Sequence, residues 1–208
     1  MTRPLAIIVL APESSGNHLC CTLLSQICIA GEPVMGVDML GWNGPQVRWH
    51  NESPFHTVWQ QLADVRSVTG GRSFVTGRSV PCGEDWPPVR WFYEHCESSG
   101  YLPRLVLVVR DVNIAQESSR RHGYSLTRCG QPADVRSSWE WLLRETRGLP
   151  RWWLSYEALT QIGADYFIPW LANFHSAASI DERWFANITD ENAKYVRFPQ
   201  HTADGTAL

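Results

Sequence analysis

Residues 5–24 constrain the fold more than any other part of this 208-residue chain. They begin with the apolar run LAIIVL, which is typical of a strand covered on both faces in a parallel sheet. A short polar turn follows, and then a pattern that predicts a helix over about residues 17–30. A strand, a turn and a helix in this order point backbone N–H groups and the positive end of the helix dipole at the turn. We therefore expect an anion-binding turn in a nucleotide-binding α/β protein.

The overall composition restricts the partners and the compartment. A formal net charge of -3 gives no argument for attraction to nucleic acid or to an anionic membrane, and we expect neither partner. The six cysteines form no CxxC pair and no zinc-type spacing, so we expect a reducing, cytoplasmic compartment and no metal. Cys20, Cys21 and Cys28 fall in the first predicted helix as small core residues. No apolar run approaches the roughly 18 residues of a membrane span.

Strands alternate with helices along the chain. We predict further strands at residues 72–79, 105–109 and 151–155, a short strand or loop edge at 34–39, and helices at 54–68, 89–98, 111–122, 133–147 and from about 157. The last forty residues are weakly patterned. This alternation predicts a three-layer α/β sandwich with a central parallel sheet, of the P-loop-containing nucleotide-binding type. The length suits a single domain over residues 1–208, with acceptor-pocket insertions near 41–68 and 81–100.

Ligands of such sheets bind at the carboxyl ends of the strands, where the sequence places polar residues 11–18, 78–85 and 110–119. The first of these clusters can be compared with the nucleoside-triphosphatase motif GxxxxGK[ST]. Gly16 matches its second glycine, but Asn17 replaces the lysine and His18 replaces the metal-holding hydroxyl residue. Metal-assisted transfer of a γ-phosphate is therefore not expected. Ser14 or Ser15 as an ordinary helix cap is the alternative interpretation of this turn.

The turn with its preceding strand, xPxSSGNxL, resembles the 5′-phosphosulfate loop of sulfotransferases that use 3′-phosphoadenosine 5′-phosphosulfate. Aligned on Ser-Gly, the residues Ser15, Gly16 and Asn17 match that loop, and Ser14 occupies the position of the family's usual basic residue. The resemblance implies that residues of this turn bind the donor nucleotide. We assign to that role Ser14, Ser15, Gly16, Asn17 and His18.

The second cluster also resembles a sulfotransferase motif. A predicted strand ends in Arg110, and Ser118 follows eight positions later on a predicted helix. In the family, an arginine and a serine with this spacing bind the 3′-phosphate of the donor, so the resemblance implies the same role for Arg110 and Ser118. The sequence WLSYEAL at 153–159 resembles the family's strand followed by YEDL, a motif that helps to fix the fold. The three matches together cover roughly residues 5–159.

The third cluster resembles the family's stretch KTHLP, whose histidine is a base. The proline aligns with Pro81, but Ser79 replaces that histidine. Sulfuryl transfer requires stabilised oxygens and a group that accepts the proton of the acceptor. Arg78 is our candidate for the first task. Candidates for the second are Asp85 and His18, with Glu84 and His56 as further possibilities.

The resemblance implies an enzyme that transfers a sulfuryl group to a hydroxyl or amine of a small-molecule or carbohydrate acceptor. Its donor would be 3′-phosphoadenosine 5′-phosphosulfate. Two alternatives remain open at this point. The chain could be a P-loop phosphotransferase acting on a nucleotide or metabolite, or a non-catalytic nucleotide-binding relative. The eleven tryptophans serve the core or line a groove for a flat or sugar-like acceptor. Neither the acceptor nor the oligomeric state follows from the sequence.

Overall fold

The computed structural model describes residues 3–36, 65–80, 86, 88–121 and 134–192. Within these ranges the elements are β1 (Leu5–Pro12), α1 (Asn17–Leu24), β2 (Cys28–Ile29), β3 (Glu32–Pro33), β4 (Met35–Gly36), α2 (Val65–Thr69), β5 (Phe74–Val80), α3 (Val89–Ser98), β6 (Leu102–Val109), α4 (Val112–Arg121), α5 (Val135–Glu145), β7 (Arg151–Ser155), α6 (Tyr156–Ile162), α7 (Ala164–Phe174), β8 (Ala178–Ser179) and a 3₁₀ helix (Glu182–Asn187).

The central sheet of the described part has five parallel strands in the order β4-β5-β1-β6-β7. Strand β1 lies in its middle, and all eight of its residues are buried, which explains the continuous apolar run in the sequence. Strands β2, β3 and β8 form a separate small antiparallel sheet. The predicted α/β fold with a central parallel sheet is therefore confirmed.

Alternate residues of β1 enter two different core layers. Ala6, Ile8 and Leu10 lie in a cluster with side chains of α3 and α5, whereas Ile7 and Val9 lie in a cluster with α1, α6 and α7. Helices thus cover both faces of the sheet, which gives the three predicted layers. We call the face that carries α1 the α1 face. None of the helices in the described ranges has the length and apolarity needed to span a membrane.

The first helix is shorter than predicted. It ends at Leu24, and Cys28 lies in strand β2, so the helix predicted over about residues 17–30 and the placement of Cys28 in it were wrong. Strand β2 pairs with both β3 and β8, and the backbone then turns through Ala30 and Gly31 at φ angles of 52° and 84°. Pairing with the distant strand β8 overrides a local pattern that suits either structure.

The other predicted elements agree with the structure within a few residues where they can be compared. Helix α3 and strand β7 have the predicted bounds, and the ends of β5, β6, α4 and α5 differ from the predicted ones by at most three residues. Of the helix predicted at 54–68, the part before residue 65 lies outside the described residues, as do the loop residues 81–85. The domain boundaries and acceptor-pocket insertions predicted at 41–68 and 81–100 stay predictions, although α3 within the second range packs in the core.

Candidate nucleotide-binding site

The turn between β1 and α1 has an unusual backbone. Ser14 and Gly16 both adopt left-handed conformations, at φ angles of 64° and 86°, and the amide of Ser15 donates to the carbonyl of Pro12 at 3.2 Å. Gly16 is the N-cap of α1, and it offers no side chain to the amides of the first helical turn, which also contains no acidic residue. Because the positive end of the helix dipole is not neutralised within that turn, it is suited to bind an anion.

Ser15 provides a separate observation on the same turn. The residue is 1% exposed, and its hydroxyl has no hydrogen-bond partner among the residues that the structure describes. Leaving a buried hydroxyl unsatisfied costs about 1–3 kcal/mol. A phosphate or sulfate oxygen at this turn would satisfy the hydroxyl, so the residues present fit an anionic ligand.

Asn17 connects the turn to strand β5. Its side-chain amide donates to the hydroxyl of Ser79 at 3.0 Å, and its Oδ1 accepts from the backbone N–H of His18 at 3.1 Å. Asn17 is buried, whereas the side chain of His18 is exposed. The first and third polar clusters of the sequence therefore meet through the side chains of Asn17 and Ser79. Asn17 occupies the position of the ATPase lysine, and its neutral amide is hydrogen-bonded to strand β5.

Arg110 brings the second cluster to the same turn. It follows directly after β6 and is 8% exposed, and its Nη1 donates to the backbone carbonyl of Ser14 at 2.6 Å. The guanidinium also lies over the ring of Tyr156, with its carbon 4.4 Å from the ring centre, within the range of a cation–π contact. The turn and the strand-end arginine thus form one site at the carboxyl edge of the sheet.

Tyr156 supports both halves of this site. Its ring lies so close to Gly16 that a Cβ atom on this glycine would be 2.1 Å from Cδ2 of the ring. Burial raises the pKa of its hydroxyl, and the positive charge of Arg110 opposes this increase. The neutral phenol ring therefore contacts both the turn, at Gly16, and the guanidinium of Arg110. The sequence predicted only a structural role for this motif, and the structure places it within the site.

Asn192 also contacts Arg110, and Glu157 in turn contacts Asn192. Oδ1 of Asn192 accepts from both Nε and Nη2 of Arg110, at 2.9 and 2.6 Å. Oε1 of Glu157 accepts from the side-chain amide of Asn192 at 3.1 Å and from the backbone N–H of Asp111 at 2.9 Å. The sequence did not single out Asn192, because it lies in a weakly patterned segment 82 residues after Arg110. No sequence signal would have found it.

The remaining predicted site residues have different surroundings. Ser118 is 4% exposed and lies on the buried face of α4, which begins two residues after Arg110. Arg78 is 5% exposed in β5 and alternates with Ser79, so it belongs to the face of the sheet opposite the α1 face. Asp85, with the further candidates Glu84 and His56, lies outside the described residues. The structure therefore joins Ser14 to Arg110 and Asn17 to Ser79 by hydrogen bonds, and it buries Ser118 and Arg78.

Comparison with solved structures shows what the fold is similar to. No family model and no curated protein sequence matches the chain. Among solved structures, it is similar to the sulfotransferase domain from the curacin biosynthetic pathway, with a TM-score of 0.59 and 14% sequence identity. The alignment covers 92% of this chain and 80% of that domain. The chain therefore has a sulfotransferase-like α/β fold.

Proposed function

We propose that this chain is a sulfotransferase that takes a sulfuryl group from 3′-phosphoadenosine 5′-phosphosulfate. The fold, the turn after β1 and the strand-end arginine support this proposal together. The single observation that carries it is the contact between Arg110 and the carbonyl of Ser14, because it joins two anion-binding features at one edge of the sheet. A donor with a 5′-phosphosulfate and a separate 3′-phosphate has two anionic groups that match these two features.

Each half of the donor has its own residues in this proposal. The turn residues Ser15, Gly16 and Asn17 hold the 5′-phosphosulfate through backbone amides and the Ser15 hydroxyl, whereas Arg110 and Ser118 hold the 3′-phosphate. When bound, the donor supplies an activated sulfuryl group. Ser14 replaces the family's basic residue, and its backbone carbonyl accepts a hydrogen bond from the guanidinium of Arg110. The positive charge near this part of the turn thus comes from a residue 96 positions away.

The acceptor in this proposal is a hydroxyl or amine of a small molecule or carbohydrate. Arg78 is the proposed stabiliser of the transferring oxygens, and Asp85 or His18 takes the proton of the acceptor. The exposed side chain of His18, on the second residue of α1, is accessible to a molecule at the turn. We further propose that the protein is cytoplasmic and needs no metal.

Titration calorimetry with 3′,5′-adenosine bisphosphate tests donor binding. We expect micromolar binding by the wild type and a loss of about tenfold to hundredfold in the Arg110→Ala variant, since a charged hydrogen bond contributes about 1.5–3 kcal/mol. The Arg104→Ala variant is a matched control. Arg104 lies near the start of β6, the strand that Arg110 follows, and its guanidinium carbon is also 4.4 Å from the centre of an aromatic ring, that of Trp152. No binding by the wild type at high micromolar nucleotide would exclude the proposal.

Transfer of labelled sulfate from the donor to a mixture of acceptors tests catalysis separately. Incorporation of label into any acceptor supports the enzyme. Tight binding of the bisphosphate without transfer to any acceptor would instead indicate a non-catalytic relative. Binding of ATP with magnesium in preference to the bisphosphate would indicate a phosphotransferase, which the engagement of Asn17 with Ser79 argues against.

A further inference from the structure

Asn192 is a buried polar contact between the C-terminal part of the described chain and the site. The residue is 4% exposed, and its side-chain oxygen, Oδ1, accepts hydrogen bonds from two nitrogens of Arg110. The backbone N–H of Asn192 donates to Oδ1 of Asp190 at 2.9 Å, which fixes the local turn. The amide therefore holds one edge of the guanidinium, while the Ser14 carbonyl holds Nη1.

The orientation of this amide follows from its neighbours. Its nitrogen faces the carboxylate of Glu157, which can only accept, and its oxygen faces Arg110, which can only donate. Rotating the amide by half a turn would place two acceptors together and two donors together. Glu157 is fixed in turn by the backbone N–H of Asp111, the residue after Arg110. The chain Asp111–Glu157–Asn192–Arg110 is thus a loop of hydrogen bonds that the peptide bond between Arg110 and Asp111 closes.

From this geometry we infer that Asn192 is a positioning residue, which orients Arg110 toward the 3′-phosphate of the donor. The inference rests on the proposed function and deepens it. Arginine has several rotatable bonds, so a guanidinium that is already held before the ligand binds loses less freedom on binding. Asn192 thereby contributes to the preference for a 3′-phosphorylated nucleotide without touching it. The ring of Tyr156 contacts the face of this guanidinium, and the amide of Asn192 accepts hydrogen bonds from its nitrogens.

Asparagine has the two properties that this position needs. It accepts from Arg110 with a neutral oxygen, so no carboxylate competes with the phosphate, and it donates to Glu157. Aspartate at this position would form an ion pair with Arg110 and would lie next to a second carboxylate. Alanine would leave both Arg110 and Glu157 without these bonds. The two substitutions therefore disturb the site in different ways.

The test compares two nucleotides that differ only in the 3′-phosphate. Binding of 3′,5′-adenosine bisphosphate and of adenosine 5′-monophosphate is measured for the wild type and for Asn192→Ala. We expect the variant to bind the bisphosphate about tenfold more weakly, the effect of one lost hydrogen bond, and the monophosphate with unchanged affinity. Asn173→Ala is the control, because Asn173 is an exposed asparagine on α7 whose amide donates to a carbonyl of its own helix.

A second pair of variants separates positioning from stability. Asn192→Asp alone should lower both the urea midpoint and the affinity for the bisphosphate. Adding Glu157→Gln removes the repulsion between carboxylates, so the double variant should regain the urea midpoint. Its affinity for the bisphosphate should stay low, because the new carboxylate still competes for Arg110. If Asn192 only stabilised the fold, the affinity for the bisphosphate would instead return together with the urea midpoint.

The outcomes distinguish this inference from the function on which it rests. If the wild type does not bind the bisphosphate, the proposed function fails and the inference fails with it. If the wild type binds but Asn192→Ala has the same affinity, only the inference is overturned. An equal loss for both nucleotides would also overturn it, because the effect would not depend on the 3′-phosphate. A selective loss for the bisphosphate would support it.

Discussion

Substituting Gly16 by alanine tests the close contact between the anion-binding turn and Tyr156. A Cβ atom at this position would lie 2.1 Å from Cδ2 and 2.7 Å from Cε2 of the ring, whereas carbon atoms in contact are separated by about 3.5–4.0 Å. The ring therefore has to move by more than an ångström. It cannot do so without disturbing the guanidinium of Arg110, which lies over it.

The size of the effect can be worked out from two contributions. Gly16 has a φ angle of 86°, and placing alanine in a left-handed conformation costs roughly 1–2 kcal/mol. Overpacking a well-filled site adds about 1–3 kcal/mol. The sum is about 2–5 kcal/mol of unfolding free energy. For a chain of this length, this lowers the melting temperature by roughly 4–20 °C.

Gly31 provides the matched control. It has a φ angle of 84°, but no atom of the described residues lies within 4 Å of the point that its Cβ would occupy. Gly31→Ala should show only the cost of the left-handed backbone, roughly 1–2 kcal/mol. Urea unfolding of both variants measures the difference, which is the contribution of the clash. Equal destabilisation by the two substitutions would refute the reasoning. Combining Gly16→Ala with Tyr156→Ala should relieve the clash, so the cost of the glycine substitution should be smaller in that background.

Two further predictions concern ionisable groups away from the turn. Burial raises the pKa of the Cys96 thiol to about 12, so at pH 8 a thiol reagent followed by peptide mass spectrometry should leave Cys96 unmodified in the folded protein while half-buried Cys28 reacts. Rapid labelling of native Cys96 would contradict this. Hydrogen bonds from Arg120 and Arg121 lower the pKa of Glu117 to about 2. Because this folded-state pKa is below the ordinary carboxyl value, the interaction stabilises the fold above about pH 4.5 and is lost as the pH falls toward 2. A carboxyl NMR titration should show this low midpoint, and Arg121→Ala should raise it; a midpoint near 4.5 in the wild type would be inconsistent with the contact.

The sequence predicted the central sheet because buried parallel strands leave a direct signal. Strand β1 and residues 105–109 of β6 are apolar runs, and the pairing of these strands follows from the alternation with helices. Helix α7 was not predicted, since Pro169 lies inside it and its residues are apolar around most of the helix. The small sheet was missed for another reason. Its strands have only two residues each, and β8 pairs with β2 across about 150 positions.

The site was predicted in part. Arg110 and the turn were assigned from short motifs, and parallel topology placed both at the same edge, but only the structure shows that they touch at the Ser14 carbonyl. Tyr156 was assigned to the fold, because a motif does not reveal that its ring contacts both Gly16 and Arg110. Asn192 could not have been found, since one asparagine in an irregular segment has no pattern. Contacts between distant side chains depend on packing, which a single sequence does not encode locally.

The contacts of Arg110 also determine when the site can form during synthesis. Its partners lie 96 residues before it and 82 residues after it, so no short continuous part of the chain contains the whole arrangement. Strands β1 and β6 can pair once residues 5–109 have been made, but the guanidinium can contact Asn192 only after that residue has left the ribosome. Nascent chains that stop short of this point would hold the sheet and the turn with an incompletely restrained arginine. The contact that restrains Arg110 from this side therefore forms only after residue 192 has been made.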